Sequence, residues 1–186
     1  MEGDATAGRS GGRNGRIETI SVLFVCLGNI CRSPSAEAVF RHLLASEGQS
    51  LAVDVDSAGT GDYHVGDPPD IRSQRSAERR GIDLSGLRAR QVCADDFDRF
   101  DLILAMDRSN LRALQTLRPG SSRAEVRLFL EYAEVVEDLD VPDPYFGGQD
   151  GFERVLDLIT LASRGLLAAL RRRHAARLIG GCDVNL

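Results

Sequence analysis

The residues best suited to chemistry are Cys26 and Arg32, which enclose residues 27–31. A thiolate is a strong nucleophile, and a guanidinium offers a planar pair of donors that matches phosphate oxygens. A short loop can also turn several backbone N–H groups toward one anion. Gly28 and Asn29 tolerate the left-handed backbone that such a loop uses. This spacing therefore indicates a site that holds a phosphate group and attacks it through sulfur.

The flanking segments predict a strand before this loop and a helix after it. Residues 22–25 are all apolar, which is typical of a buried parallel strand, and residues 33–46 have the composition of a helix. A helix N-terminus and a nearby arginine favour the thiolate form of Cys26, and Ser33 can donate a hydrogen bond to its sulfur. The alternative is a structural cysteine with Arg32 as a solvated charge. The coincidence of spacing, strand and helix favours the catalytic interpretation.

A second candidate, Asp143, lies between Pro142 and Pro144. Two prolines restrict the backbone and hold the carboxyl group in a limited region. If a thiolate attacks phosphorus, the departing oxygen of the leaving group needs a proton from a general acid, and a carboxyl group can supply it. The alternative is that Asp143 only builds a turn. Its pairing with the Cys26 loop favours the role of general acid.

Residues 25–40 resemble the signature of the low-molecular-weight protein tyrosine phosphatases, and the resemblance extends over about residues 20–170. It implies that Cys26 is the nucleophile, Arg32 binds the phosphate and Asp143 is the general acid and base. It also implies an α/β fold of a single domain, with a flavodoxin-like four-stranded parallel sheet flanked by helices. The substrate-binding set that follows comprises Leu27, Gly28, Asn29, Ile30, Cys31 and Ser33 in the loop, and Tyr63, Tyr145 and Phe146 in the cleft walls.

The alternation of strands and helices along the chain predicts the same fold. The catalytic loop then lies at the carboxyl end of the first strand, where sites form in such sheets. Asp107 is expected to cap the helix that follows it. We predict strands at residues 21–25, 51–57 (an edge strand), 100–107 and 126–130, and helices at 33–46, 71–80 and 108–117, with a long C-terminal helix whose apolar spacing runs over 152–170. Residues 1–17 are expected to be a disordered arm, 18–174 the phosphatase domain and 175–186 a flexible tail.

Composition and cysteine spacing indicate which classes of partner, location and cofactor to expect. The 186 residues carry a net charge of -5, which argues against nucleic acid as a partner. No signal peptide or membrane span is recognisable, so a cytoplasmic location without membrane insertion is expected. Cys26 and Cys31 have no second close pair of Cys or His, so neither metal nor other cofactor is expected. The expected partner is a phosphotyrosine-containing protein, with a tyrosine kinase as one candidate, and the protein is expected to be a monomer or weak dimer.

Position 87 departs from the family pattern, whereas Cys31 matches it. Many family members have a histidine that braces the loop where this chain has Leu87, which leaves the details of loop support open. Cys31 matches a neighbour that can trap the nucleophile in a reversible disulfide, so the resemblance implies a redox-sensitive site.

Three other functions stay open at this stage. Protein-arginine phosphatases resemble this loop but usually carry Thr in place of Ile30, whose apolar side chain favours a phenyl ester. A thiol-dependent arsenate reductase needs two further cysteines close together, whereas Cys93 stands alone in its region. A catalytically idle phosphotyrosine-binding module would need neither the thiolate of Cys26 nor the acid of Asp143.

Overall fold

The computed structural model describes residues 19–47, 51–134, 136–145 and 148–180. These residues contain four strands, five helices and one 3₁₀ turn, and a helix follows each of the first three strands. In chain order they are β1 (Ile20–Cys26), α1 (Arg32–Glu47), β2 (Val53–Gly59), α2 (Ile71–Glu78), α3 (Asp96–Arg99), β3 (Leu102–Ala105), α4 (Arg108–Leu117), β4 (Glu125–Leu128), the 3₁₀ turn (Phe129–Tyr132) and α5 (Gln149–Gly180).

The four strands form one parallel sheet in the order β2-β1-β3-β4, which confirms the predicted fold class and the edge position of β2. Alternate residues of β1 contact different layers. Phe24 packs in the core on the side of α1 and α5, and Val25 packs on the side of α4. Because both faces are covered, the strand is apolar at every position rather than at every second one.

The structure adds detail that the sequence patterns did not show. The four-residue helix α3 and the 3₁₀ turn were not predicted. Helix α5 continues to Gly180, so residues 175–180 of the predicted tail are helical. The stretch from Ala175 to Leu178 consists of good helix formers and contains no proline, so nothing ends the helix there. The predicted arm at residues 1–17 and the end of the tail at 181–186 lie outside the described residues.

Parallel strands bring the site together, because their carboxyl ends meet at one edge of the sheet. β1 ends at Cys26 and β3 is followed by Asp107, one strand away. The backbone N–H of Val141 donates to the carbonyl of Met106 (2.7 Å), which carries the segment before Asp143 to the same edge. None of the helices in the described part of the chain is long and apolar enough to cross a membrane.

Candidate active site

Cys26 is buried at the carboxyl end of β1, with its sulfur at the N-terminus of α1. The backbone N–H of Asn29 donates to Sγ (3.2 Å), and Ser33 Oγ lies 3.0 Å from Sγ. The backbone N–H of Asn29 and the positive end of the 16-residue helix are directed at the sulfur, while the hydroxyl of Ser33 also has Ala58 O as an acceptor at 3.1 Å. This environment suits a thiolate nucleophile.

The loop at residues 27–31 has its carbonyl groups held by neighbouring segments. Asn29 adopts φ +54°, a left-handed conformation. Three carbonyls of Cys26 and the loop accept hydrogen bonds from the loops that follow β2. The donors are Thr60 N to Cys26 O (2.8 Å), Gly61 N to Leu27 O (2.9 Å) and Asp70 N to Ile30 O (2.8 Å). With these carbonyls directed away, the N–H groups of the loop are available to an anion in the pocket.

The side chain of Asn29 organises the support behind the loop. Its Nδ2 donates to Ser33 Oγ and to Ser57 Oγ, both at 2.9 Å, and its Oδ1 accepts from the backbone N–H of Arg90 at 2.9 Å. Ser57 in turn donates to Glu37 Oε2 (2.7 Å). A chain of hydrogen bonds therefore links Asn29, whose N–H donates to the sulfur of Cys26, to a buried carboxyl group.

This support is complete without a histidine at position 87. Leu87 instead packs against the core on the side of α1 and α5. Glu37 is buried and receives a hydrogen bond from Arg41 Nε (3.0 Å). Burial raises the pKa of Glu37, while Ser57 and Arg41 oppose that shift. Sequence patterns did not reveal Glu37 or Ser57 as parts of the site.

Arg32 is buried and held by two carboxylates. Its Nη1 donates to Asp107 Oδ2 (2.6 Å) and to Val141 O (3.1 Å), and its Nη2 donates to Asp143 Oδ2 (3.1 Å). Burial opposes the charge, but nearby Cys26, Asp143 and Asp107 outweigh it and raise the pKa of Arg32. The guanidinium is therefore permanently charged and fixed in direction.

Asp107 has two functions, of which the sequence indicated one. Its Oδ1 accepts from the backbone N–H of Asn110 (2.7 Å), so it caps α4 as expected. Its other oxygen holds Arg32 at the active site. Asp107 thus connects the cap of α4 to the orientation of Arg32.

A pocket of about 200 Å³ opens above Cys26. Tyr63, with 76% of its surface exposed, and Tyr145, with 41%, are at its mouth. The residues that line it are Cys26, Leu27, Gly28, Ile30, Cys31, Arg32, Tyr63, His64, Asp143 and Tyr145. Asn29 and Ser33 lie behind the loop as supports, and Phe146 lies outside the described residues. Of the lining residues, His64 was not among the predicted site residues; its Nδ1 lies 3.0 Å from Asp67 Oδ2.

Comparison with known proteins decides the family. A family model described as low molecular weight phosphotyrosine protein phosphatase matches residues 21–176. The chain belongs to this family.

Relatives and solved structures agree with that membership. The low molecular weight protein-tyrosine-phosphatase of Streptomyces coelicolor is 48% identical over 162 residues, covering 86% of this chain and 98% of the relative. The crystal structure of YfkJ from Bacillus subtilis is 44% identical and covers 86% of this chain and 99% of its own, with a TM-score of 0.79. A Drosophila arginine phosphatase is also similar, at 36% identity, with 80% and 96% covered and a TM-score of 0.74.

In this family member, Arg72 joins the segment of Asp143 to the helices beside it. Arg72 Nη1 donates to Tyr145 O (3.0 Å), and its Nη2 pairs with Asp70 (2.8 Å). Its guanidinium also lies 5.3 Å from the ring centroid of Tyr145 and 4.7 Å from that of Phe152. The backbone N–H of Tyr145 donates to Asp143 Oδ1 (3.0 Å), so these contacts help to place the carboxyl group. Sequence patterns did not indicate this role, because Arg72 has the spacing of an ordinary polar residue on a helix.

Among the described residues, no three His, Cys, Asp or Glu side chains are grouped so that they could hold a metal ion. In the pocket, the groups able to bind a phosphate are the loop N–H groups and Arg32.

The close packing of Gly59 against the loop at residues 27–31 leads to a first prediction. A Cβ at Gly59 would lie 2.7 Å from Leu27 O and 3.2 Å from Asn29 N. Backbone atoms cannot swing aside as a side chain can, so Gly59→Ala must displace the loop. We expect kcat/KM for p-nitrophenyl phosphate to fall by about 10²-fold, the scale for a misplacement of about 1 Å.

The matched control for Gly59 is Gly120→Ala, because a Cβ there has no neighbouring atom within 4 Å. Gly120→Ala should keep the wild-type kcat/KM. Wild-type kcat/KM in Gly59→Ala would show that the loop tolerates displacement, contrary to this interpretation.

Proposed function

We propose that this chain is a protein-tyrosine phosphatase that hydrolyses phosphotyrosine through a phosphocysteine intermediate. The main support is the convergence of Cys26, Arg32 and Asp143 on one pocket of about 200 Å³. Arg32 and Asp143 are already in contact there, at 3.1 Å. A nucleophile, an oxyanion-binding cation and a carboxyl group are the three components that two-step phosphate transfer from a phenol needs.

In the first step the Cys26 thiolate attacks phosphorus, the S–P bond forms and the bond from phosphorus to the phenolic oxygen breaks. Arg32 and the loop N–H groups bind the non-bridging oxygens and stabilise the charge that develops on them. The substrate phosphate competes with Asp143 for Arg32 Nη2. Asp143 then gives its proton to the departing phenolate, and tyrosine leaves as the neutral phenol.

In the second step water attacks phosphorus and the S–P bond breaks. The Asp143 carboxylate, left ionised by the first step, accepts a proton from the attacking water. Inorganic phosphate and the Cys26 thiolate are the products, and the proton on Asp143 restores the starting state. One carboxyl group therefore serves as acid and then as base, without any further reactant.

The shape of the pocket favours an aryl phosphate. Tyr63 and Tyr145 stand at its mouth, where exposed rings can pack against the phenyl ring of the substrate. Ile30 contributes an apolar surface inside the pocket, in place of the Thr usual in arginine phosphatases. Cys93, the additional thiol that an arsenate reductase would need nearby, lines a different groove with Gln91 and Ala113.

The test is a substrate panel without added metal: p-nitrophenyl phosphate and matched peptides that carry phosphotyrosine, phosphoserine or phosphoarginine. We expect turnover of p-nitrophenyl phosphate and phosphotyrosine, with far lower kcat/KM for the other two peptides. Preference for phosphoarginine would favour the arginine phosphatase alternative. Binding of phosphotyrosine without turnover would make the chain a recognition module.

A second prediction is that the thiol of Cys26 is oxidised reversibly, through a disulfide with Cys31. Burial raises the pKa of the Cys31 thiol to about 12, although a hydrogen bond from Ser73 opposes the shift. Cys31 is therefore a neutral thiol at pH 7, and peroxide should first convert Cys26 to a sulfenic acid. Cys31 then displaces water from that sulfur to form a disulfide, which an added thiol reduces.

In Cys31→Ser we expect peroxide inactivation that dithiothreitol restores poorly, because Cys26 then proceeds to irreversible oxidation states. The wild type and the control Cys93→Ser should both recover. Equal recovery of Cys31→Ser and the wild type would rule out this protective disulfide.

Family membership implies phosphoprotein substrates. A tyrosine kinase as the substrate, a monomeric or weakly dimeric state and a cytoplasmic location stay predictions. We also propose that residues 18–174 form the phosphatase domain.

A further inference from the structure

A groove of about 550 Å³ adjoins the catalytic pocket. The two share Leu27, Arg32 and Asp143 as lining residues. The rest of the groove is formed by the first turns of α4 and by residues 140–142. A peptide whose phosphotyrosine occupies the catalytic pocket can therefore place a flanking residue in this groove, since an extended chain advances about 3.3–3.6 Å per residue.

The carboxylates of the groove are all engaged by arginines. Asp107 and Asp143 bind Arg32. Asp140 binds Arg108 Nη1 (3.1 Å) and accepts from the backbone N–H of Arg108 (3.0 Å). These three carboxylates share only two arginines, so their pairing leaves one negative charge unmatched before the third arginine of the groove is counted.

The guanidinium of Arg112, in contrast, is not paired with a carboxylate of the described residues. Arg112 lies one helical turn after Arg108 on α4, lines the groove and is exposed. Arg108 is shared by Asp138 and Asp140, whereas the guanidinium of Arg112 has no hydrogen bond or ion pair with any residue in the described part of the chain. An unpaired guanidinium beside an active site attracts anionic groups of a substrate.

We propose that Arg112 and this groove form a subsite for an anionic side chain near the phosphotyrosine of the substrate. Two sources share the required chemistry: the carboxylate of Glu or Asp, and the phosphate of a second phosphorylated residue. The inference rests on the proposed function and adds a substrate preference to it. The subsite discriminates among phosphotyrosine sequences by charge, separately from the recognition of the aryl phosphate.

The test uses phosphotyrosine peptides with Gln, Glu or phosphoserine placed in turn at each of three positions on either side. The readout is the ratio of kcat/KM for the Glu peptide to that for the matched Gln peptide, at low salt. We expect a wild-type ratio of about two to five at the position that reaches Arg112, the range for an exposed ion pair. Phosphoserine should give a larger ratio, and salt should reduce both. A ratio above one for phosphoserine alone would identify phosphate as the ligand.

Variants of Arg112 then test whether this residue causes the preference for a flanking negative charge. Arg112→Gln should reduce the ratio to about one and Arg112→Glu should invert it. The control is Arg123→Gln, which makes the same change of charge at another exposed arginine, in the loop before β4 at the opposite edge of the sheet. Arg123→Gln should retain the wild-type ratio.

Two results would overturn the subsite: hydrolysis by the wild type with no dependence on a flanking charge, or a wild-type ratio in Arg112→Gln. Failure to hydrolyse even the Gln peptides would overturn the proposed function and this inference together. The Gln peptides therefore distinguish a failure of the subsite from a failure of the proposed function.

Discussion

Cys26→Ser should lower kcat for phosphotyrosine by at least about 10⁴-fold, the scale seen when a nucleophile that acts within a catalytic unit is removed. A serine hydroxyl at this position remains protonated at neutral pH, and the donors that favour a thiolate cannot convert it to a comparable nucleophile. Asn29 N and Ser33 Oγ, the neighbours of the sulfur, stay in place. The loss should therefore be in kcat, measured by steady-state kinetics with phosphotyrosine peptides.

The control is Cys93→Ser, because Cys93 is an exposed free thiol outside the catalytic pocket. It should have wild-type kcat, and both variants should unfold near the wild-type temperature. Substantial turnover by a folded Cys26→Ser protein would show that another group attacks phosphorus.

Asp143→Asn should cause the second large loss of kcat, and the size of this loss should depend on the leaving group. For phosphotyrosine we expect kcat to fall by about 10²–10⁴-fold, the usual contribution of general acid catalysis. Tyrosine is a poor leaving group, with a phenol pKa of about 10, so its departure depends on the proton. Nitrophenolate is a far weaker base, and the first step with p-nitrophenyl phosphate should be slowed much less. Rapid-mixing measurements of the first turnover with both substrates test this.

Asp138→Asn is the matched control, because Asp138 lies five residues before Asp143 but pairs with Arg108 rather than Arg32. It should leave both rates near wild type. An equal loss for the two substrates in Asp143→Asn would mean that the carboxyl group only positions Arg32, with which it forms an ion pair at 3.1 Å.

The parts of the site that are contiguous in sequence could be predicted from it. Cys26, Arg32 and the residues between them are in one loop, and the apolar run of β1 shows which side of the loop is buried. Asp143 was singled out by the two prolines that flank it, and it does line the pocket, while its role as the acid stays a prediction. The parallel sheet followed from the alternation of elements, although α3 and the 3₁₀ turn are too short to leave a periodic pattern.

Contacts between residues far apart in the sequence could not be predicted from local sequence patterns. Asp107 and Arg32 are 75 positions apart, and the sequence marks Asp107 only as a helix cap. Glu37 has the spacing of an ordinary charged residue on α1, yet it is buried and accepts from Ser57, 20 positions away. Arg72 is similar, since its contact with Tyr145 depends on how the segment of Asp143 folds back. In each case the partner is set by packing, which local pattern does not encode.

Direct detection of the covalent intermediate is the most decisive measurement. Wild-type protein is mixed with excess p-nitrophenyl phosphate, quenched in acid within the first turnover and digested, and the peptides are mapped by mass spectrometry. We expect an initial burst of nitrophenol close to one per enzyme, with the phosphate on the sulfur of Cys26 and none in Cys26→Ser. Hydrolysis with no phosphorylated peptide at early times, or with the phosphate on another residue, would contradict a phosphocysteine mechanism at this site.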